Sequence, residues 1–312
     1  MQTLKITRSI LVLSLALAVV SCNKKLDVVP QNNITPDKIQ TAADVEATLF
    51  GAYALLQSPQ SFGERWLIAS DLIADAGQID FIGTFVDYRH LTNKQTISTN
   101  AIATGIWANG YTNINVVNTV LDKINLITDA DQKTIIEGEA KLIRGIVYYY
   151  LVNYFALPWS TGGSNSNLGV PLMLEAVYDY DSTIHKVERA TVAQVYAQII
   201  TDLTDAAAKL DEDMPDFRGN KGTAQAFLAR VYLAQGNYAA AAIQADNVIS
   251  SGVYELNSSY FGTFNNIANS AEDIFAIQQS AQSNAGTTNN GLPTFFAAQP
   301  VGRLYGDRKS VV

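Results

Sequence analysis

The sequence predicts a mainly α-helical fold: antiparallel helical hairpins stacked side by side, with long irregular loops and minor β structure near the C-terminus. Three observations predict it. Apolar residues recur at three- and four-residue spacing in long segments between positions 41 and 250. The stretch Gly222–Gly252 reads as two helices broken once, at Gly236-Asn237, which leaves room only for a tight hairpin. Shorter strand-like pieces begin after Gly252, and Ile274–Gln278 is the clearest of them.

Taken in order, Met1–Ser21 is a targeting segment. Lys5 and Arg8 form its basic start, and Ile10–Val20 is an apolar run too short to span a bilayer. It ends in Val19-Val20-Ser21-Cys22, which resembles a bacterial lipobox, so cleavage before Cys22 is expected to leave that residue lipidated. Residues 22–35 then form the lipidated cysteine and a polar tether with Pro30. Thr41 is the predicted N-cap of a helix through Gln57, with Val45, Leu49, Phe50, Tyr53 and Leu56 on one face. A short helix over 64–74 follows, and 75–99 is predicted to be a long loop, of a length typical of functional or disordered segments.

The pattern returns to helix over 100–127 through Ile106, Trp107, Tyr111, Ile114, Val117, Leu121 and Ile124. Asn109, Asn113, Asn115 and Asn118 interrupt it as poor helix formers, expected to bond loops packed on the helix. The next long helix is predicted over 131–155, ahead of Pro158 and the flexible loop 159–168. After a second irregular stretch over 178–186, Thr191 caps a helix over 192–210 striped by Val192, Val195, Tyr196, Ile199, Leu203, Ala206 and Leu210. A charged turn over 211–221 leads into the hairpin. There Leu228, Ala229, Tyr232, Gly236, Tyr238 and Ala241 follow the spacing of a tetratricopeptide helix pair, with Gln225 at its tryptophan position. Tyr232 and Tyr238 are expected to pack across the small residues Ala239–Ala242 and Ala245. Such a unit cannot bury its apolar face alone, so neighbouring helices must cover it in an α-α superhelix.

Four segments in register carry a family resemblance. Glu139–Gly145 running on through Tyr148–Phe155 is similar to a helix of the SusD/RagB nutrient-uptake lipoproteins. Arg189–Leu203, Ala229–Leu233 in the hairpin, and Glu272–Gln278 are similar to later segments of the same family in the same order. The resemblance runs from Cys22 to about Gly306. It implies a SusD-like helical domain over 36–306 that is incomplete, because family members continue into a less regular second lobe. The last six residues, 307–312, are expected to be a non-native tail, since they resemble what a short-read sequencing adapter encodes.

Composition narrows the function. A net charge of −8 without basic clusters argues against nucleic acid as a partner. The single cysteine excludes an internal disulfide and a cysteine-based zinc cluster. The two histidines, His90 and His185, stand in no Gly-x-Ser-x-Gly or His-Glu-x-x-His context, so no catalytic set, metal site or cofactor is expected. Asp71, Asp75 and Asp80 read as loop acids rather than a glycosidase pair.

Sugar sites pair exposed aromatic rings with polar and charged side chains. Aromatics on helices at core spacing (Tyr148, Tyr150, Tyr154, Tyr196, Tyr232, Tyr238) are read as packing. Those in predicted loops or the short second helix remain as ligand candidates: Trp66, Phe81, Phe85, Tyr88, Trp159, Tyr178 and Tyr180, with Asp75, Asp80 and Arg89 as polar partners. In starch-binding SusD-like proteins aromatics of this early loop region hold part of the sugar, but their ligand residues are not reproduced here and no position is carried over. The resemblance implies capture of an oligosaccharide, or in some members peptides, at the outer face of the outer membrane. It implies delivery to a SusC-like TonB-dependent transporter as well. The rival of a different class is a non-catalytic helical-repeat scaffold lipoprotein in the periplasm.

Overall fold

A computed structural model describes residues 38–74, 79–178, 186–215, 217–264, 268–280, 282–285, 291–296 and the backbone of 304–306. The targeting segment, Cys22, Asp75, Tyr180, His185 and the last six residues lie outside them. Beyond Lys38 the chain forms one unit, Ile39–Val312.

Its spine is six helices, each against the next: α1 (Ala42–Gln57), α4 (Ala101–Asp122), α5 (Ala130–Phe155), α6 (Val192–Lys209), α7 (Lys221–Ala234) and α8 (Tyr238–Ser250). Polar side chains start each one. Thr41 and Asp44 form a reciprocal capping box on α1, Thr191 and Gln194 another on α6, and Asn220 and Thr223 a third on α7. Asn100, Asp129 and Asn237 cap α4, α5 and α8. Each cap satisfies amides that the first helical turn leaves without partners.

The two long inner helices are buried on more than one side, which explains their weak amphipathicity. α5 buries Ile136, Leu142, Ile143, Ile146, Val147, Tyr148 and Leu151 between α4 and α6. Gly145 allows that approach, because a Cβ there would stand 2.9 Å from the Leu203 side chain. Two of the four asparagines of α4, Asn115 and Asn118, bond the packed loop over 173–177, and the other two reach helix α1. Asn115 donates to the Val177 carbonyl at 2.9 Å and accepts from the Val177 amide at 2.7 Å. Asn118 donates to the carbonyls of Met173 and Glu175, while Asn109 and Asn113 donate to carbonyls at the end of α1.

Shorter elements modify the sequence expectation. The predicted loop 75–99 contains β1 (Ile79–Phe81) and α3 (Val86–Thr92), which follow α2 (Arg65–Ala74). These pieces are too short for periodicity to reveal, and Tyr88 and Leu91 hold α3 by burial. β1 pairs antiparallel with β4 (Leu304–Gly306), with Asp80 opposite Tyr305. In mid-chain, β2 (Leu168–Pro171) pairs with β3 (Arg189–Thr191) and ties the α5–α6 connection to the start of α6. The strand expected over Ile274–Gln278 does not form: those residues pair with no strand, and a short α9 (Leu292–Phe296) follows instead. Phe295 of α9 packs edge-on to Tyr88 at 5.0 Å.

Two packing expectations are corrected. Phe50 is 40% exposed, beside Phe217 and under the Arg218 guanidinium, because the face it shares with Tyr53 turns toward the 211–220 turn. Tyr238 is 70% exposed rather than buried across the hairpin; the buried residues of α8 are Ala241 and Val248. The turn itself is as expected, with Gly236 at a φ of +71°.

Candidate functional site

Two adjoining clefts lie where α2, the start of α4, the end of α5 and α7 converge. The larger, about 730 Å³, is lined by Ile73 of α2, Thr96, Ile97 and Ser98 of the loop before α4, Trp107 of α4, and Tyr154 and Phe155 of α5. The smaller, about 370 Å³, is lined by Ser70 and Ile73 of α2, Tyr149, Tyr150, Asn153 and Tyr154 of α5, and Arg230 of α7. They share Ile73 and Tyr154.

Helical geometry explains the wall. Residues 149, 150, 153 and 154 fall on adjacent rows of α5 one turn apart, so one end of this helix presents three phenols and an amide together. Packing fixes the rings. Tyr150 stacks on Trp66 with centroids 4.1 Å apart and planes 11° from parallel. The Tyr154 and Ser70 hydroxyls lie 2.7 Å apart and both reach the Trp66 carbonyl. In the larger cleft Trp107 stands edge-on to Phe155 at 5.0 Å.

The phenols are held neutral. Burial raises the pKa of Tyr149, Tyr150 and Tyr154 above the ordinary phenol value, against the opposing charge of Arg230 at the first two. At neutral pH they donate and accept hydrogen bonds rather than acting as bases. Among the described residues no group of three or more His, Cys, Asp or Glu is placed to hold a metal ion. The arrangement suits a ligand with flat apolar faces and hydroxyl edges: rings to stack on, with an amide, hydroxyls and a guanidinium at the rim.

The structure disperses the residues singled out from sequence. Trp66 is 1% exposed and shows no face to solvent, so it supports the cleft from beneath. Tyr88 is also buried, its hydroxyl donating to Glu64. Both corrections have one cause: short segments read as loop or surface helix are covered by long-range packing. Arg89 is exposed and donates to the Gly83 carbonyl at 2.7 Å. Tyr178 is 40% exposed at the far end of α4, where its hydroxyl donates to Asp122 and Lys123 lies 5.0 Å from its ring centroid. Trp159 is half-buried 5.0 Å from Tyr196, which in turn lies 6.5 Å from Tyr149. Of these candidates, Trp66 and Trp159 are linked to the clefts through ring contacts, and neither lines them. Phe81 is buried and Phe85 is 51% exposed near α3.

Tyr149, Asn153, Tyr154, Arg230 and Trp107 were not singled out as ligand candidates. A signal existed for the first: Tyr148-Tyr149-Tyr150 spans too much of a helix circumference for all three to face one core.

Residues 24–233 match a SusD-like family model described as starch-binding associating with outer membrane. Two curated relatives from Formosa agariphila are similar. SusD-like protein P2 is 28% identical over 253 residues, covering 80% of this chain and 46% of the relative. SusD-like protein P25 is 22% identical over 275 residues, covering 84% and 49%. The chain therefore spans about half the length of the curated relatives it matches. A crystal structure of a SusD superfamily protein from Bacteroides thetaiotaomicron superposes with a TM-score of 0.76 at 25% identity, over 89% of this chain and 61% of that one.

Proposed function

The chain belongs to the SusD-like family, and from that membership we propose that it is an outer-membrane lipoprotein, anchored through Cys22, that captures an oligosaccharide at the cell surface. It then passes the saccharide, unaltered, to a SusC-like TonB-dependent transporter. The family match over most of the chain carries this reading. The paired clefts support it, with aromatic faces on a helical scaffold and polar groups at the rim.

Titration calorimetry with maltooligosaccharides, other neutral oligosaccharides and short peptides tests the reading. Saccharide binding that weakens by about tenfold or more in a Trp107→Ala, Tyr149→Ala double variant is expected, since each ring supplies a stacking face. Binding that survives in that variant would move the site elsewhere on the surface. Peptide binding without saccharide binding would replace the ligand class. Recovery of the protein with detergent-extracted membranes, lost on Cys22→Ala, is the matching outcome for the anchor.

A further inference from the structure

Arg230 differs from the other described arginines. Arg144 and Arg218 grip carboxylates, Arg65 donates to Gln60 and the Ala101 carbonyl, and Arg89 and Arg189 donate to main-chain carbonyls. Arg230 is exposed and hydrogen-bonds the Tyr150 side chain, and it meets no carboxylate or main-chain carbonyl among the described residues. Its guanidinium carbon lies 5.4 Å from the centroid of the Phe227 ring, which holds its stem against α7. It lines the smaller cleft together with Tyr149, Tyr150, Asn153 and Tyr154.

A guanidinium without a carboxylate partner is a planar fork of donors matched to one, and one bond to a phenol leaves most of its donors for a ligand. Here the fork sits beside stacking rings and an amide in a chain of net charge −8. That net charge opposes an anion at long range, so recognition of one here rests on short-range contact with the guanidinium. The charge of Asp71 on α2 acts on Tyr154, whereas that of Arg230 acts on Tyr149 and Tyr150. A saccharide bearing a carboxylate is thereby offered one orientation.

We propose that the smaller cleft selects acidic oligosaccharides, with Arg230 binding the carboxylate of a uronic-acid residue whose ring lies against Tyr149. This assignment of ligand class rests on the saccharide-capture reading above. The uronate end would point to α7 and the neutral hydroxyls to Ser70 and Asn153.

The test is calorimetric binding of an oligogalacturonide, its carboxyl-reduced neutral counterpart and a sulfated counterpart to the purified protein, to Arg230→Gln and to Arg230→Lys. The oligouronide is expected to bind about tenfold more tightly than the reduced sugar, with a preference that shrinks as salt rises. Arg230→Gln should remove that preference, and Arg230→Lys should lower it, because an ammonium lacks the fork. Equal binding of acidic and neutral sugars by the wild type, or an undiminished preference in Arg230→Gln, overturns this assignment and leaves saccharide capture standing. Tighter binding of the sulfated sugar overturns the choice of carboxylate. Failure of every saccharide, neutral or acidic, overturns both readings.

Discussion

The guanidinium of Arg144 and the carboxylate of Asp202 meet in a two-bond fork between α5 and α6, Nε to Oδ2 at 2.8 Å and Nη2 to Oδ1 at 2.7 Å. The pair is buried, and Nη1 continues to the Asn118 side chain of α4 at 2.9 Å. One cation therefore registers three successive helices of the spine. Asp202→Ala would strand a charge in the interior and is expected to cost about 3–5 kcal/mol. Urea unfolding measures the loss. Replacing both partners, Arg144→Met with Asp202→Leu, should restore most of it, and a double variant as unstable as the single one would contradict this account.

Trp66 and Tyr149 should separate stability from binding. Trp66 is fully enclosed, so Trp66→Ala leaves a cavity and is expected to destabilise by about 3–5 kcal/mol. Tyr149 is only half-buried on the cleft wall, and Tyr149→Ala should shift the melting temperature much less than Trp66→Ala does. Thermal melts of the two variants side by side give the comparison, and similar shifts would show that Tyr149 is a packing residue.

Gly236 closes the α7–α8 hairpin in the left-handed region, and a Cβ there would stand 2.6 Å from the Thr161 hydroxyl. Gly236→Ala is expected to cost about 1–2 kcal/mol from backbone strain, before any shift of Thr161. An unchanged denaturation midpoint would mean that the turn relaxes into another geometry.

Glu64 is buried at the start of α2, where it accepts from the Gly291 amide at 2.7 Å and from the Tyr88 hydroxyl. Burial raises its pKa above the ordinary 4.5, despite those hydrogen bonds and nearby Arg65. In the window above pH 4.5 the folded state thus holds more protons than the unfolded state, and stability falls as pH rises through the folded pKa. The contribution is complete below 4.5 and gone above the folded value. Glu64→Gln should flatten this part of the stability profile between pH 4 and 7, as read from denaturant midpoints. A wild-type profile that rises across that window, by an amount Glu64→Gln removes, would reverse the sign assigned here.

Much of the spine was legible in the sequence. Thr41, Thr191 and Gly236 are local signals whose chemistry acts within one turn, so two helix starts and the hairpin break could be read directly. The stripe on α6 and the loop-bonding role of Asn115 and Asn118 in α4 were equally clear. The elements that were missed depend on distant partners. α3 is held by burial of Tyr88 and Leu91, β1 by a strand more than 200 residues away, and α9 by Phe295 against Tyr88. Ile274–Gln278 has strand propensity but no strand beside it among the described residues. The ligand candidates fared worst for the same reason. Assignment by loop position ranked Trp66 and Tyr88 as exposed, whereas α5 and α9 cover them.

The sequence by itself determined which long segments are helices, where most of them begin and which family the chain resembles, because capping and periodicity are short-range properties of neighbouring residues. Only the tertiary structure decided which aromatics face solvent and that Arg230 lines a cleft with Tyr149 and Asn153 and has no carboxylate partner among the described residues. Burial and charge pairing are set by what the remainder of the chain places against a side chain, and no local spacing encodes that.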